Sequence, residues 1–492
     1  VADVSLAPSL PKTHKALPLF GLGTLQRSPF LSTSDRLNCV VELTDNGRQQ
    51  AALIGLPGLI TTFNLGAPPA RAVFVKEGTQ TFFIAVGNQI ILAAPNVALV
   101  TIANLTTDTG PVWMDDNGTQ LFINDGVTAL IYTYATGAAV PITDSDFPAG
   151  ARGGCFLSGR FWVYTPSTSG ANAGRVYGSD LYNGLAWDGL NFFTPAARPT
   201  GIVAVVRWAD DLVVIGQRSV EWWSGTTTAV TGALGFQPSA NPNTEVGGSA
   251  ELGVASVNQR LFVVGHGEGP IGVYEVRGYA IEKVSSPAID DTLSSLNGAS
   301  TAVCCGYMAS GHALFQVTIP GQTTQTACTF VFDGLTNLWS RRSSYNQPYY
   351  RGLLAAHSGT TAYLTDAFTG LLYALSPTTY DEAGQPMEFE VTSTHLLKEG
   401  DTLAVNKVQI DLETGVGQAG TTPRGIVQIS KDGGHTWGME RFVDLGKVGE
   451  YTRRTQLYRI GAARDLAVKF RITEAVPRRV TGAYLILEAG TA

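Results

Sequence analysis

The sequence predicts an all-β protein: a β-propeller of about six to seven blades, preceded by an extended N-terminal arm and followed by a C-terminal β-sandwich domain. Three observations carry this reading. Only 15% of the 492 residues are charged and 56 are glycine, against a usual ~25% charged and ~7% glycine, so the chain lacks the Glu and Lys that cover long wet helices and is rich in turns. Hydrophobic residues make up 44%, which excludes a disordered chain, and the length exceeds one ordinary core of roughly 100–200 residues. Short β-branched and aromatic runs then recur in pairs between Gly, Asn and Asp turns, at a spacing close to the roughly 40–50 residues of a propeller blade.

Residues 1–66 are punctuated by Pro, Gly and Leu (LAPSLPKTHKALPLF, then DRLNCVVEL and ALIGLPGL) with little sustained period. Such a stretch holds a strand or two but buries no core alone, so it is expected to lie along something else, as an arm. Residues 67–385 contain the repeated theme, in blocks at 71–94, 112–137, 153–166, 202–225, 253–276, 301–342 and 350–376. Seven of the eight tryptophans fall there, at 113, 162, 187, 208, 222, 223 and 339, and are expected to fill the wedges between blades. In VFDGLTNLWSRR the spacing predicts a Kelch-type blade edge, with Asp333 and Thr336 holding the turn and Trp339 packed behind it. Residues 386–492 change texture, with longer alternating strands such as Leu466–Ile472 and more charge, which predicts a separate sandwich with one wet or partner-facing side.

A net charge of −7 disfavours a protein whose main affinity is for phosphate backbones. That balance is local, because the last hundred residues are nearly neutral and carry a basic run: Arg441, Lys447, Arg453, Arg454, Arg459, Arg464, Lys469, Arg471, Arg478 and Arg479. Of these, Arg453, Arg454, Arg459, Arg464, Arg478 and Arg479 are the candidate interface residues; a solvated, ion-paired sheet face is the competing reading. The five cysteines form no C-x-x-C pair, so neither a disulfide framework nor a zinc site is signalled. G-x-S-x-G, the P-loop and H-E-x-x-H are absent and the six histidines are scattered, so no catalytic, cofactor or metal residues are assigned. Asp210-Asp211 reads as a turn, and Asp290-Asp291 as the start of a short helix capped by Asp291 or Thr292. No stretch reaches the ~18 apolar residues of a membrane span.

The sharpest local motif is Ser430-Lys-Asp432-Gly-Gly434-His-Thr436-Trp437, an Asp box. Its Asp and Ser side chains are expected to satisfy turn amides, its glycines to supply positive φ, and its Trp to pack the hairpin base. Asp boxes recur in sialidase propellers, where they are structural and several per chain; here there is one, so a stabilised turn outweighs a glycan site.

Several segments together resemble the packaged-DNA stabilisation proteins, or tail hub (nozzle) proteins, of short-tailed bacteriophages. Asp35-Arg36-Leu37-Asn38-Cys39 followed by GLPGL is similar to their N-terminal arm, GIVAVVRWADDLVVIGQRSVEWWSGTT at 201–227 to their most recognisable blade, and TQLYRIGAARDLAVKFR with VPRRVTGAYLIL to their closing strands. The resemblance implies a non-enzymatic virion component, assembled in the host cytoplasm as a homo-oligomer, in this family a six-subunit ring below the portal and adaptor. It also implies contacts with the adaptor and with spikes, fibres or a needle, and passage of DNA without sequence-specific binding. Two other readings stay open at this point: a glycan-binding or sialidase-like propeller, and a scaffold for a host protein. Removal of residues 1–60 is expected to impair ring assembly more than propeller folding.

Overall fold

The computed structural model describes residues 13–19, 28, 32–43, 51–166, 173–195, 200–225, 235–239, 244–296, 300–397, 402–416 and 421–487. Parts of the predicted arm (1–12, 20–27, 29–31, 44–50) and of the loop at 165–176 (167–172) lie outside the described residues. The chain divides into two compact units that are interleaved in sequence. One comprises Leu59–Thr329 and Gln347–Ser376, the other Val1–Gly58, Phe330–Asn346 and Pro377–Ala492.

The first unit is the propeller. Four-stranded antiparallel sheets follow one another as blade 1 (Ala70–Val75 to Val100–Asn104), blade 2 (Trp113–Asp116 to Ala138–Pro141), blade 3 (Arg152–Leu157 to Asn183–Phe193) and blade 4 (Ile202–Trp208 to Phe236–Pro238). Blade 5 runs from Gly247–Gly248 to Ala280–Lys283 with a split inner strand, and blade 6 opens with Val303–Ala309 and His312–Ile319. Blade 7 holds Gly352–Ser358, Thr361–Asp366 and Leu371–Ser376, and takes its outer strand, Gly58–Asn64, from the other end of the sequence. The first strands of blades 7 and 1 are neighbours, as are those of 1 and 2, 2 and 3, 3 and 4, 5 and 6, and 6 and 7. Blades 4 and 5 meet through Asp211–Gly216 and Gly247–Gly248, so the circle is closed. Radial repetition leaves only short, protected sheet edges, which is how an all-β chain of this length avoids edge pairing.

Blade-to-blade packing is apolar. Phe83, Leu121 and Tyr132 fill the wedge between blades 1 and 2, Phe122, Phe161 and Trp187 that between 2 and 3, and Trp162, Phe193 and Trp223 that between 3 and 4. Each such side chain removed from water stabilises the fold by roughly 1.5–3 kcal/mol. A recurrent polar device accompanies it: a side chain on the second strand bonds to backbone where the next blade begins. Asn124 donates to the carbonyls of Ala151 and Gly153 (3.1 and 2.9 Å), Tyr164 to that of Val203 (2.6 Å) and Gln316 to that of Gly352 (2.7 Å). Glycine permits the closest approach. A Cβ at Gly306 on the first strand of blade 6 would lie 2.4 Å from the Ser256 carbonyl oxygen of blade 5.

The second unit is a two-sheet sandwich. One sheet runs Cys39–Leu43, Ala51–Gly55, Arg479–Leu487, Leu403–Leu412, Thr455–Ala463, with Thr13–Ala16 also paired to Arg479–Leu487. The other contains, in order, Leu338–Arg341, Asp35–Leu37, Phe389–Thr392, Asp465–Ile472, Arg424–Ser430 and Arg441–Asp444. Their inner faces share one core that includes Cys39, Leu53, Phe389, Val408, Val427, Phe470 and Leu485. The described strands of residues 13–64 are thus built into sheets of their own chain. Cys39 and Val41, two positions apart and so on one face of their strand, are both buried in the shared core, so that face needs a sheet beneath it.

The short helix, Pro287–Ser295, starts earlier than its sequence suggests. Ser286 is the N-cap, whereas Thr292 lies inside the helix and donates to the Ala288 carbonyl. Asp290 is drawn into the interior by Lys283 (2.5 Å) and the Ser285 hydroxyl (2.5 Å). Cys39, Cys155, Cys304 and Cys305 are buried, and burial pushes the Cys39 thiol up to about 12.

Candidate functional site

The Asp-box turn closes on itself atom by atom. Ser430 Oγ donates to Asp432 Oδ1 (2.7 Å) and accepts from Gly434 N (2.8 Å), while Asp432 accepts from Thr436 N (2.9 Å) and from Thr436 Oγ1 (2.5 Å). Gly433 and Gly434 carry φ of +69° and +86°, as the tight turn requires. The Thr436 and Ser430 bonds hold the Asp432 carboxyl down at about 2 because they favour its charged form. Trp437 is half-buried, with Lys469 Nζ 4.7 Å above its ring. The Ser430 and Asp432 side chains are thus engaged in closing a turn.

Of the six candidate interface arginines, Arg478 stands apart. It is 2% exposed and donates to the carbonyls of Tyr380 (2.6 Å) and Glu474 (3.1 Å), and burial lowers its guanidinium to about 10. Two adjacent arginines entering a strand must face opposite ways, so one of the pair Arg478-Arg479 goes inside, and Arg478 is corrected from surface to interior. Arg479 is exposed and paired with Glu413 (2.9 Å), and Arg453 with Asp444 (2.7 Å). Arg454, Arg459 and Arg464 are exposed, and among the described residues none has a carboxylate partner.

The outer face of the second sandwich sheet carries a cross-strand charge ladder. Asp35 is gripped by Arg341 on the neighbouring strand (Nε to Oδ1 2.9 Å and Oδ2 3.0 Å). Glu390 lies 3.4 Å from Lys469, and Arg471 reaches Glu388 (3.1 Å) and Glu440. Burial raises the Glu390 carboxyl against the opposing pull of Lys469. Lys469 and Arg471, read from sequence as part of a basic run, therefore have carboxylates within the chain.

The site that sequence reasoning passed over is a knot around Asp35-Arg36-Leu37-Asn38-Cys39. Arg36, 1% exposed, donates to the Trp339 carbonyl (3.1 Å). Asn38, fully buried with φ of +54°, donates to the carbonyls of Ser343 (3.1 Å) and Glu388 (2.7 Å) and accepts from Ser343 N (3.2 Å). Its own N–H and C=O bond to Arg341 O and Leu56 N (both 2.9 Å). Three other stretches of the second unit, at 56, 341–343 and 388, are tied to this residue. Beside it the Asp333 turn is closed by Leu335 N (3.0 Å) and Thr336 Oγ1 (2.7 Å), with Trp339 against Phe332 at 5.0 Å. In the sequence Asn38 stands between Leu37 and Cys39, at the break between two strands, and asparagine is a residue that tolerates positive φ.

In the propeller unit a cavity of about 440 Å³ is lined by residues of blades 3 to 6 and by Pro111 ahead of blade 2, and Arg152 in its lining pairs with Glu251. Among the described residues no group of three or more His, Cys, Asp or Glu side chains is placed to hold a metal, and no helix is long and apolar enough to cross a membrane. Trp162, Trp187, Trp222, Trp223 and Trp339 are all buried, so these five form no platform on which a sugar stacks.

Comparison with known proteins gives two family matches in tandem. Residues 16–380 match the model described as bacteriophage P22 Gp10, beta-propeller, and residues 388–488 that described as bacteriophage P22 Gp10, beta-sandwich. No curated protein matches the chain. Among solved structures, a chain of "Crystal Structure of Mitotic Checkpoint Complex" aligns over 68% of this chain and 97% of its own at 11% identity and a TM-score of 0.40, a likeness that bears on neither fold nor function.

Proposed function

Because the chain belongs to the bacteriophage P22 Gp10 family, through both its propeller and its sandwich, and is a phage structural protein of that type, we propose that it forms the hub of a short-tailed phage tail. In this reading several copies, six if the ring follows the resemblance noted from sequence, close a ring below the portal and its adaptor. The ring extends or shuts the DNA channel, helps to retain the packaged genome and seats spikes, fibres or a needle. It acts by shape and contact, without catalysis, in a virion tail assembled in the host cytoplasm.

The observation that supports this most is the tandem match of both domains in one chain. A closed propeller with apolar wedges suits a rigid mount, and an acidic propeller unit, with 12 basic against 20 acidic residues, repels DNA and lets it slide. Electron microscopy and native mass measurement of the purified full chain are expected to show a ring that binds adaptor. Particles made without the chain are expected to lose packaged DNA. A stable monomer that neither binds adaptor nor enters particles would refute the reading.

A further inference from the structure

Two exposed patches of opposite charge, one on each unit, are made of residue types that dominate protein interfaces. The first lies on the sandwich, where the edge strand Arg441–Asp444 runs beside Thr455–Ala463. Arg441 ties the two by donating to the Tyr458 carbonyl (2.5 Å) and to that of Arg459 (3.4 Å). Around it Met439, Phe442 and Tyr458 are 88%, 62% and 52% exposed, and Arg454 and Arg459 are exposed. The nearby acids are already engaged: Glu440 by Arg471 and Asp444 by Arg453. The patch therefore presents uncompensated arginines among large apolar side chains. Tyr, Phe, Met and Arg are the side chains enriched in interface centres, while exposed Met and Phe give nothing to a phosphate backbone.

The second patch follows the outermost strand of blade 3, Asn183–Phe193, and the turn before it. Leu181, Tyr182 and Leu190 are 60%, 67% and 77% exposed, and Asp180 and Asp188 are exposed beside them. Asp146 from the end of blade 2 joins the patch, since a Cβ on Gly189 would lie 3.2 Å from its carboxylate. Neighbouring Asp144, bonded by Trp187 N (3.0 Å) and Asp146 N (3.0 Å), has its carboxyl lowered by those amides and stays ionised. The patch is an acidic, apolar-centred rim within a unit of net −8, with 12 basic against 20 acidic residues; the unit bearing the sandwich has 21 against 20.

We propose that the Arg441/Arg454/Arg459 edge of one copy docks on the Asp146/Asp180/Asp188 rim of the next, so that a heterologous contact propagates from copy to copy. The inference rests on the hub reading above and names the surface that builds its ring. Such a contact uses two different patches on each chain, and rotation closes it into a ring instead of a two-fold dimer. The charges fix register and exclude the like-charged pairings, and the apolar side chains supply burial.

The test uses two full-length charge-reversed chains, Arg454→Glu/Arg459→Glu and Asp146→Arg/Asp180→Arg, followed by sedimentation velocity and native mass, with circular dichroism to verify folding. Each alone is expected to stay monomeric at concentrations at least ~100-fold above those at which wild type assembles, because like charges then face each other. Mixed one to one they are expected to rebuild a ring in which the two chains alternate, since every contact regains opposite charges. Wild-type rings together with variants that assemble as well as wild type would overturn this contact and leave the hub reading standing. A wild type that stays monomeric at every concentration would overturn both. If Arg454→Glu/Arg459→Glu assembles normally and instead loses affinity for a 30-base-pair DNA duplex, the edge is a phosphate contact and the proposal is overturned.

Discussion

The two units solve the same all-β problem in opposite ways. In blades 1 to 4 of the propeller the strands of each sheet pair in sequence order, and the wedges between blades are filled by apolar rings such as Phe122, Phe161 and Trp162. The sandwich unit is assembled from three separated stretches, and where they cross the chemistry turns ionic and polar: Arg36, Asn38, Arg478, Glu382 and Asp35 are all nearly or wholly buried. Apolar burial is undirected and serves a repeat whose geometry is set by local turns. A junction between remote segments has no local turn to set its register, and directed bonds to specific carbonyls do so instead.

The comparison breaks most visibly at Arg478 and Arg479. Arg478→Ala removes a buried cation from beside Glu382 and leaves the carbonyls of Tyr380 and Glu474 without their donor, so a loss of about 3–5 kcal/mol is expected. Arg479→Ala breaks an exposed pair with Glu413 and is expected to cost less than about 1 kcal/mol. Urea titration of both variants by circular dichroism checks this. Equal losses would mean that the buried arginine contributes no more than a surface ion pair.

A second contrast sets one asparagine in each unit. Asn38→Ala and Asn124→Ala each delete a side chain that bonds two carbonyls and one N–H, which is expected to cost about 1–3 kcal/mol. Alanine at the φ of +54° of Asn38 adds about 1–2 kcal/mol, because only Asn, Asp and Gly occupy that region readily. Asn38 also joins residues 305 and 350 positions away, against 27 and 29 for Asn124. The Asn38 variant is therefore expected to show the larger loss, with proteolytic cleavage opening within 32–43. A larger loss for Asn124→Ala would reverse the comparison.

These contrasts also explain what could be read from the chain beforehand. The blades were legible because a pleated strand, a Gly or Asn turn and another pleated strand are written close together in the sequence, and the Asp box because the bonds made by the Ser430 and Asp432 side chains fall between 430 and 436. The closing strand Gly58–Asn64 reads as part of the arm, since nothing local marks it as a partner of Leu371–Ser376. The Asn38 knot was invisible for the same reason. Its residues drew notice only as part of a family resemblance, and the bonds that give them meaning span more than 300 positions. Arg478 was misplaced because a count of basic residues ignores the alternation of the strand they enter.

The smallest effect sharpens the comparison from the other side, because the Asp box is a local, solvent-facing version of the same polar stitching. Asp432 has its carboxyl lowered to about 2 by Thr436 and Ser430, below the ~3.9 of an unfolded chain. A lowered folded-state value means that the charged form is the one held by the fold. Its contribution to stability is therefore complete above the unfolded value, shrinks as the pH falls below about 4, and is gone once the pH has passed through about 2. Asp432→Asn is thus expected to lower stability at neutral pH, where the ionised carboxylate contributes, to differ little from wild type below about pH 2, and to flatten the acid limb of the stability profile between about pH 4 and 2. Carbon-detected NMR titration of the Asp432 carboxyl checks the wild-type value directly, and acid unfolding of both chains checks the consequence. A carboxyl titrating near 3.9, or acid limbs that coincide, would show that the bonds at 430–436 shape the turn without favouring its charge.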